Sequence, residues 1–292
     1  MYTMGTPKGR KLNWLQVNLP EGLLVDASWL DRNGFSRGLR RKYVTNGWLD
    51  RVARSVYRRP ASVLTERDQA GLSWEAVVVS LQTILGRQVA VGGRTALELQ
   101  GFGHYLSATG PREVHVYGRQ PLPAWVAKLT LDTRLVFHRS GRLFDESVDP
   151  PWRRGTESKN NTQVSEALRK AALTEQSVTR KDWQLIMSLP ERAVLEVLDE
   201  VPQRETFHQV DMLVDGLGNL SPRRLQSLLL GCCSVKVKRL FFWFAERHKH
   251  SWLKELDRKA VDLGKGKRMI VRGGKLDTKF NITIPGNLDA GV

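Results

Sequence analysis

The sequence predicts a mixed α+β fold: an N-terminal winged helix-turn-helix followed by a larger mixed α/β C-terminal region. Three observations predict it. Residues 26–60 run as cap, short helix, glycine turn, basic helix, glycine stop and two-strand hairpin. Residues 72–138 interleave apolar helical runs with strand-like alternation, and residues 162–247 are dominated by helical spacing. The expected units are 1–62, the winged helix-turn-helix; 63–150, an α/β middle module; and 151–292, a mainly helical module closed by a strand pair.

Asp26 is the N-cap of a helix over Ala27–Asn33. Gly34 ends it and supplies the positive φ of a tight inter-helix turn, in which Phe35 packs. Ser36 caps a second helix to about Asn46, with Gly47 as its stop. Leu39, Tyr43 and Val44 form its apolar face, and Arg37, Arg40, Arg41 and Lys42 are its cations. A recognition helix needs this division between a packed face and a groove-facing one. Trp48–Ala53 and Val56–Arg59 then alternate around a two-residue turn, Arg54-Ser55, as a wing would. The expected roles are base-edge reading by Arg37, Arg40 and Arg41, backbone contact by Lys42, Arg51, Arg58 and Arg59, and a minor-groove or phosphate contact by Arg54. On this reading Arg40→Ala relaxes sequence preference and Arg59→Ala weakens all sequences alike. The plain alternative is a surface helix pair with solvated arginines.

A break is expected at Arg58–Ser62 and a linker over Asp149–Asn161, rich in Pro, Gly, Ser and Asn. Leu72–Leu85 reads as a buried helix closed by Gly86. Gly92-Gly93 opens a short helix that Gly101 stops. Glu113–Tyr117 and Thr133–His138 read as strands, and Leu122–Leu129 as a short helix. Helical spacing covers Thr162–Leu173, Thr179–Ser188, Pro190–Glu200 and Thr206–Leu217. Ser221-Pro222 starts another helix, and Val235–Arg247 is basic and aromatic. Within it, Leu240–Phe244 reads as core in preference to an oligomer face. Arg268–Arg272 and Lys279–Ile284 read as closing strands.

The chain has 292 residues, 41% hydrophobic and 26% charged, which excludes wholesale disorder. Two cysteines exclude a disulfide scaffold and favour a reducing compartment, the cytoplasm. Met1–Lys11 has no apolar signal region, and no run is long enough to span a membrane. The distinctive quantity is charge: 46 Lys+Arg against 30 Asp+Glu, a net +16. It sits at the two ends. Residues 1–60 carry 12 basic and 4 acidic side chains, residues 231–292 carry 14 and 6, and the blocks between are neutral. Two basic ends on a neutral centre point to a polyanion partner, nucleic acid first.

No catalytic, cofactor or metal constellation is legible. The six histidines show no metal-ligand spacing, and Arg247–His250 reads as basic surface. Cys232-Cys233 are adjacent, which suits small core positions after Gly231 better than CxxC chemistry. Gly264–Arg268 lacks the P-loop pattern and reads as a basic turn. Asp145-Glu146 has no evident partner.

The run Trp29–Pro60 resembles the N-terminal winged helix of AbiEi antitoxins of type IV toxin–antitoxin systems. Val89–Leu106 is similar to a segment that follows it in longer members, and Lys279–Pro285 shares the family's closing pattern. The resemblance implies a promoter-binding autorepressor that binds inverted repeats as two copies. It also implies a C-terminal part that counteracts a nucleotidyltransferase-like toxin without a lasting complex. The family often has glycine where Ser55 stands, so the wing turn and the aim of Arg54 are open. The rival reading is a protein-interaction module over 61–230 that inhibits a partner enzyme, with DNA binding incidental. An RNA-binding reading lacks the aromatic strand motifs of common RNA modules.

Overall fold

The computed structural model describes residues 8–61, 72–102, 113–152, 161–177, 183–286 and 288. The N-terminal unit opens with α1 (Lys8–Asn18), to which the sequence reading assigns nothing, and β1 (Leu24–Asp26). The two expected helices follow as α2 (Ala27–Arg32) and α3 (Arg37–Thr45), and the wing as β2 (Asp50–Ala53) and β3 (Val56–Arg58). The caps form as expected. Asp26 Oδ1 accepts from the Trp29 N–H at 2.7 Å, and Ser36 Oγ from the Leu39 N–H at 3.4 Å. Gly34 and Gly47 take φ values of +77° and +72°. Phe35 is buried between Trp14 and Tyr43. β1 adds a third strand, in the order β1-β3-β2, all antiparallel.

The remainder is built on a five-stranded mixed sheet. Its strands are β4 (Val89–Val91), β5 (Glu113–Gly118), β6 (Arg134–Arg139), β7 (Leu173–Ser177) and β8 (Gln184–Ser188), in the order β6-β5-β4-β8-β7. The boundary expected at 150/151 therefore falls between strands of one sheet. The helices are α4 (Trp74–Val79, continued by a π turn to Ile84), α5 (Gly93–Leu99), α6 (Asn161–Lys170), α7 (Pro190–Asp199), α8 (Phe207–Asp215), α9 (Pro222–Leu230) and α10 (Val235–His248). A hairpin, β9 (Lys275–Asp277) with β10 (Ile282–Ile284), closes the fold.

Several sequence expectations are corrected. Thr179–Ser188 is no helix where it is described: Gln184–Ser188 is a strand, and 178–182 lie outside the described residues. Leu185, Ile186, Met187 and Ser188 are all buried, so the strand is apolar on both faces and loses the alternation that marks strands. The helix expected to reach Leu173 ends at Lys170, and Leu173 begins β7. Leu122–Leu129 forms only a 3-10 turn at Val126–Lys128, beside Pro121 and Pro123. Arg268–Arg272 is no strand; Arg268 makes one isolated bridge to Ile282. Cys232 is buried and Cys233 exposed, both ahead of α10, so of the two expected core positions one faces outward. Asp149–Trp152, expected to begin a linker, starts with a buried carboxylate and ends with a buried indole; 153–160 lie outside the described residues.

Two buried polar side chains tie the sheet together. Gln82 spans β4 and β8, which share a single register pair. Its Nε2 donates to Val89 O and Ile186 O, and its Oε1 accepts from the Ile186 N–H, each at 2.9 Å. Arg192, 2% exposed, bonds Glu196 at 2.8 Å, Asp149 at 3.1 Å and the carbonyl of Ala171 at 2.9 Å. Its guanidinium also lies 4.6 Å from the Phe144 ring centroid. Burial works against this charge, but Asp149 and Glu196 more than compensate and raise its pKa.

The main buried apolar cluster runs from Leu15 to Ile282. The N-terminal unit joins it through Leu23, Leu24 and Val25, and the Leu24 N–H donates to buried Ser80 Oγ at 2.8 Å. Phe241, Phe242, Trp243 and Phe244 are all buried, so that run is core. No helix among the described residues is long and apolar enough to cross a membrane.

Replacing Arg192 by Met leaves Glu196 buried without its counter-charge and Asp149 with Arg119 alone. The expected cost is about 3–5 kcal/mol, read as a lower urea midpoint; an unchanged midpoint contradicts this account.

Candidate nucleic-acid interface

The eight cations singled out by sequence divide into two groups. Arg37, Arg41, Lys42, Arg51 and Arg54 are exposed and make no ion pair. On α3, positions 37, 38, 41, 42 and 45 are exposed, and 39, 40, 43 and 44 are wholly or partly buried. At 100° per residue the exposed set occupies one continuous arc of about 140°. Gly38 lies on that arc, and a side chain there would meet nothing.

Arg40 is buried, which corrects its expected place on the exposed face of α3, whereas Arg58 and Arg59 are half-buried and engaged by partners within the chain. Arg40 is 8% exposed; its Nη1 bonds the Ala27 carbonyl and the Asp31 carboxylate, both at 2.9 Å. It lies on the packed side of α3 and clamps α3 to α2. Arg58 pairs with Asp50, its cross-strand partner, at 3.0 Å. Arg59 donates to Gln16 O at 2.6 Å and Leu19 O at 3.0 Å, and pairs with Glu21 at 3.2 Å. It thereby caps α1 and holds it against the wing.

The wing turn keeps its shape without glycine. Ser55 takes φ +64°, and its carbonyl accepts the Ala27 N–H at 2.8 Å. That contact fixes the wing tip to the start of α2 and leaves Arg54 outward. Sequence reasoning missed Arg32, exposed and unpaired at the end of α2. Its position in a last helical turn, beside the inter-helix glycine, was the available signal.

The C-terminal basic block divides in the same way. Arg239 is buried and holds the carbonyls of Leu263, Gly266 and Asn281 at 2.7–3.1 Å. Burial and the neighbouring charge of Arg268 lower its pKa. This anchor displays Lys265, Lys267, Arg268, Arg272 and Lys275, all exposed and unpaired. By contrast Arg247 and His248 bond Asp211, His248 also reaches Asp215, and His250 meets the Val214 carbonyl. Arg247–His250 is therefore mostly a clamp between α10 and α8, with Lys249 alone of the four an unpaired cation.

The remaining candidates are structural. Gly93 is a helix entry whose N–H donates to Glu196 at 2.8 Å. Asp145 binds the Ser147 N–H, and Glu146 pairs with Arg119. Burial pushes the Cys232 thiol up to about 11. Among the described residues no group of three His, Cys, Asp or Glu is arranged to hold a metal ion.

Two histidines form a relay that spacing does not show. His115 Nδ1 lies 2.9 Å from His138 Nε2, and His138 Nδ1 lies 3.0 Å from Glu200. Burial, then the charge of His138, depresses the His115 pKa to about 4. Burial opposes ionisation of Glu200, but the His138 hydrogen bond and the charges of His138, His115 and Arg204 together outweigh it and lower its pKa.

Two outcomes follow from these placements. Arg40→Ala lowers unfolding free energy by about 1–3 kcal/mol through the lost α2–α3 clamp, measured by urea titration. His115 stays neutral in the native state while the unfolded chain takes up its proton. Stability therefore falls as pH drops from 6.5 toward about 4. His115→Gln flattens that slope; an equal slope in the variant contradicts the assignment.

Comparison with known proteins identifies the family. The profile described as "Transcriptional regulator, AbiEi antitoxin N-terminal domain" matches residues 8–108. That described as "Transcriptional regulator, AbiEi antitoxin, Type IV TA system" matches residues 112–285. Among solved structures, the crystal structure of the RV2827C protein from Mycobacterium tuberculosis is similar at 12% identity. The match has a TM-score of 0.48 and covers 97% of this chain and 92% of that one. No functionally curated protein matches the sequence. With the two profiles spanning nearly its whole length, the chain belongs to the AbiEi antitoxin family of transcriptional regulators, of type IV toxin–antitoxin systems.

Proposed function

We propose that the chain represses its own promoter by binding inverted repeats there, and counteracts a nucleotidyltransferase-like toxin without a lasting complex. The observation that carries the DNA half is the one-sided exposure of α3. Its free cations share one arc, while the cation on its packed side, Arg40, is neutralised by Asp31. Residues 1–62 carry the interface. Arg37 and Arg41 read base edges from the major groove, and Lys42 contacts the backbone. Arg51 and the wing-tip Arg54 neutralise phosphates, and Arg32 adds a further backbone contact. Arg58 and Arg59 act only by holding the wing and α1 in place. The Lys265–Lys275 face grips flanking DNA. Two copies on one inverted repeat exclude polymerase and raise specificity. The free cysteines and this regulatory role suit the cytoplasm.

Because the N-terminal unit shares its core with the rest, the two activities are separated by point substitution rather than truncation. The test is binding to the upstream promoter duplex and to a scrambled duplex at two salt concentrations. The full chain binds the promoter selectively with a steep salt slope. Arg41→Ala loses about 1–3 kcal/mol of discrimination. Arg54→Ala weakens both duplexes alike and flattens the salt slope. Unselective binding by the full chain, or equal losses for both variants, overturns the reading.

A further inference from the structure

β6 is an edge of the five-stranded sheet. Its six residues pair only with β5, in parallel register from Glu113↔Arg134 to Gly118↔Arg139. Among the described residues nothing pairs on its outer side. Just before the strand, Leu131 makes an isolated parallel bridge to Leu72. Over this edge lies an apolar groove of about 570 Å³, lined by Leu122, Ala127, Leu129, Leu131, Leu135 and Phe137. Leu135 and Phe137 alternate along β6 and so face one side of the sheet. An open strand edge and an apolar trough thus meet on the same two side chains. An added strand would gain main-chain hydrogen bonds from the edge and bury alternate side chains in the trough.

The surrounding charge selects the occupant. Lys128, Arg139 and Arg142 are exposed and unpaired. Arg134 is 72% exposed and, among the described residues, pairs with Glu113. Asp132 is the one acidic residue in the groove lining. Arg134 and Arg139 stand at the two ends of β6. Charged ends of this kind guard an edge against its own copies while leaving it open to carboxylates.

We propose that β6 and its groove dock an extended segment of a partner protein that carries apolar residues for the groove and Asp or Glu for the cations around it. This surface is separate from the winged helix and does not rest on the DNA-binding reading.

The test selects a randomised peptide display library against the full chain, then maps the enriched peptide by backbone amide exchange. The expected consensus combines apolar and acidic residues, and the peptide protects residues 134–139. Lys128→Glu with Arg139→Glu weakens that peptide at least about tenfold. Ala127→Trp, at an exposed rim position, fills the groove and gives the same loss without changing charge. Circular dichroism checks that both variants are folded. A basic or purely apolar consensus, protection elsewhere, no enrichment, or full affinity in the folded variants overturns the proposal. So does concentration-dependent dimerisation of the chain alone that protects residues 134–139, which would make a second copy the occupant.

Discussion

A positive charge in the dry interior of the sheet layer constrains much of the fold. Arg192 is buried, and the groups it meets come from its own helix, from the loop after β6 and from the end of α6. Asp149 comes from the loop after β6, where Ser140 and Arg119 hold it in turn. Ala171 comes from the end of α6, and Glu196 from the next turn of α7. Glu196 then reaches the first N–H of α5 and the hydroxyl of Ser188 at the end of β8. An ion in low dielectric is tolerable only when such partners are all in place. The five-stranded sheet and the helices over it are therefore assembled around one guanidinium. Gln82 does the same on a smaller scale where β4 and β8 barely pair.

The N-terminal unit depends on that assembly through apolar contact. Its strand β1 lies against the turn that ends α4, and its core continues into the larger one. Within the unit, three arginines act as internal fasteners: Arg40 between α2 and α3, Arg58 across the wing, and Arg59 between the wing and α1. Their pairing with carboxylates sharpens the charge that remains free. What is left is a band of free cations on α3 and the wing, and a second on the turn that Arg239 braces.

Much of the N-terminal fold was legible because its signals are local. Asp26, Gly34, Ser36 and Gly47 each act within a few residues, and the two-residue wing turn is read directly from alternation. The strands buried on both faces were less legible. Val89–Val91 and Gln184–Ser188 show continuous burial, and periodicity has nothing to register there. The side-chain destinations of the arginines were hidden for another reason. Arg40 and Arg41 are chemical equals one position apart, but the helix turns about 100° between them. One meets a carboxylate and the other meets solvent. Arg59 finds the end of α1 some forty residues away, a contact set by tertiary packing rather than by any motif. The His115–His138–Glu200 chain is non-local in the same sense, joining neighbouring strands to the end of α7.

The empty space around Gly38 has a consequence for how this surface is maintained. Alanine would fit there without a contact and would favour the helix by about 0.5–1 kcal/mol. Neither packing nor backbone geometry calls for glycine, since its φ is not positive. The residue leaves a bare stretch of main chain between Arg37 and Arg41, in the first turn of α3. A methyl group there would hold any flat surface further away from the helix axis. The helix is thus less stable than its sequence neighbours would allow, and it gains closeness of approach in the same place.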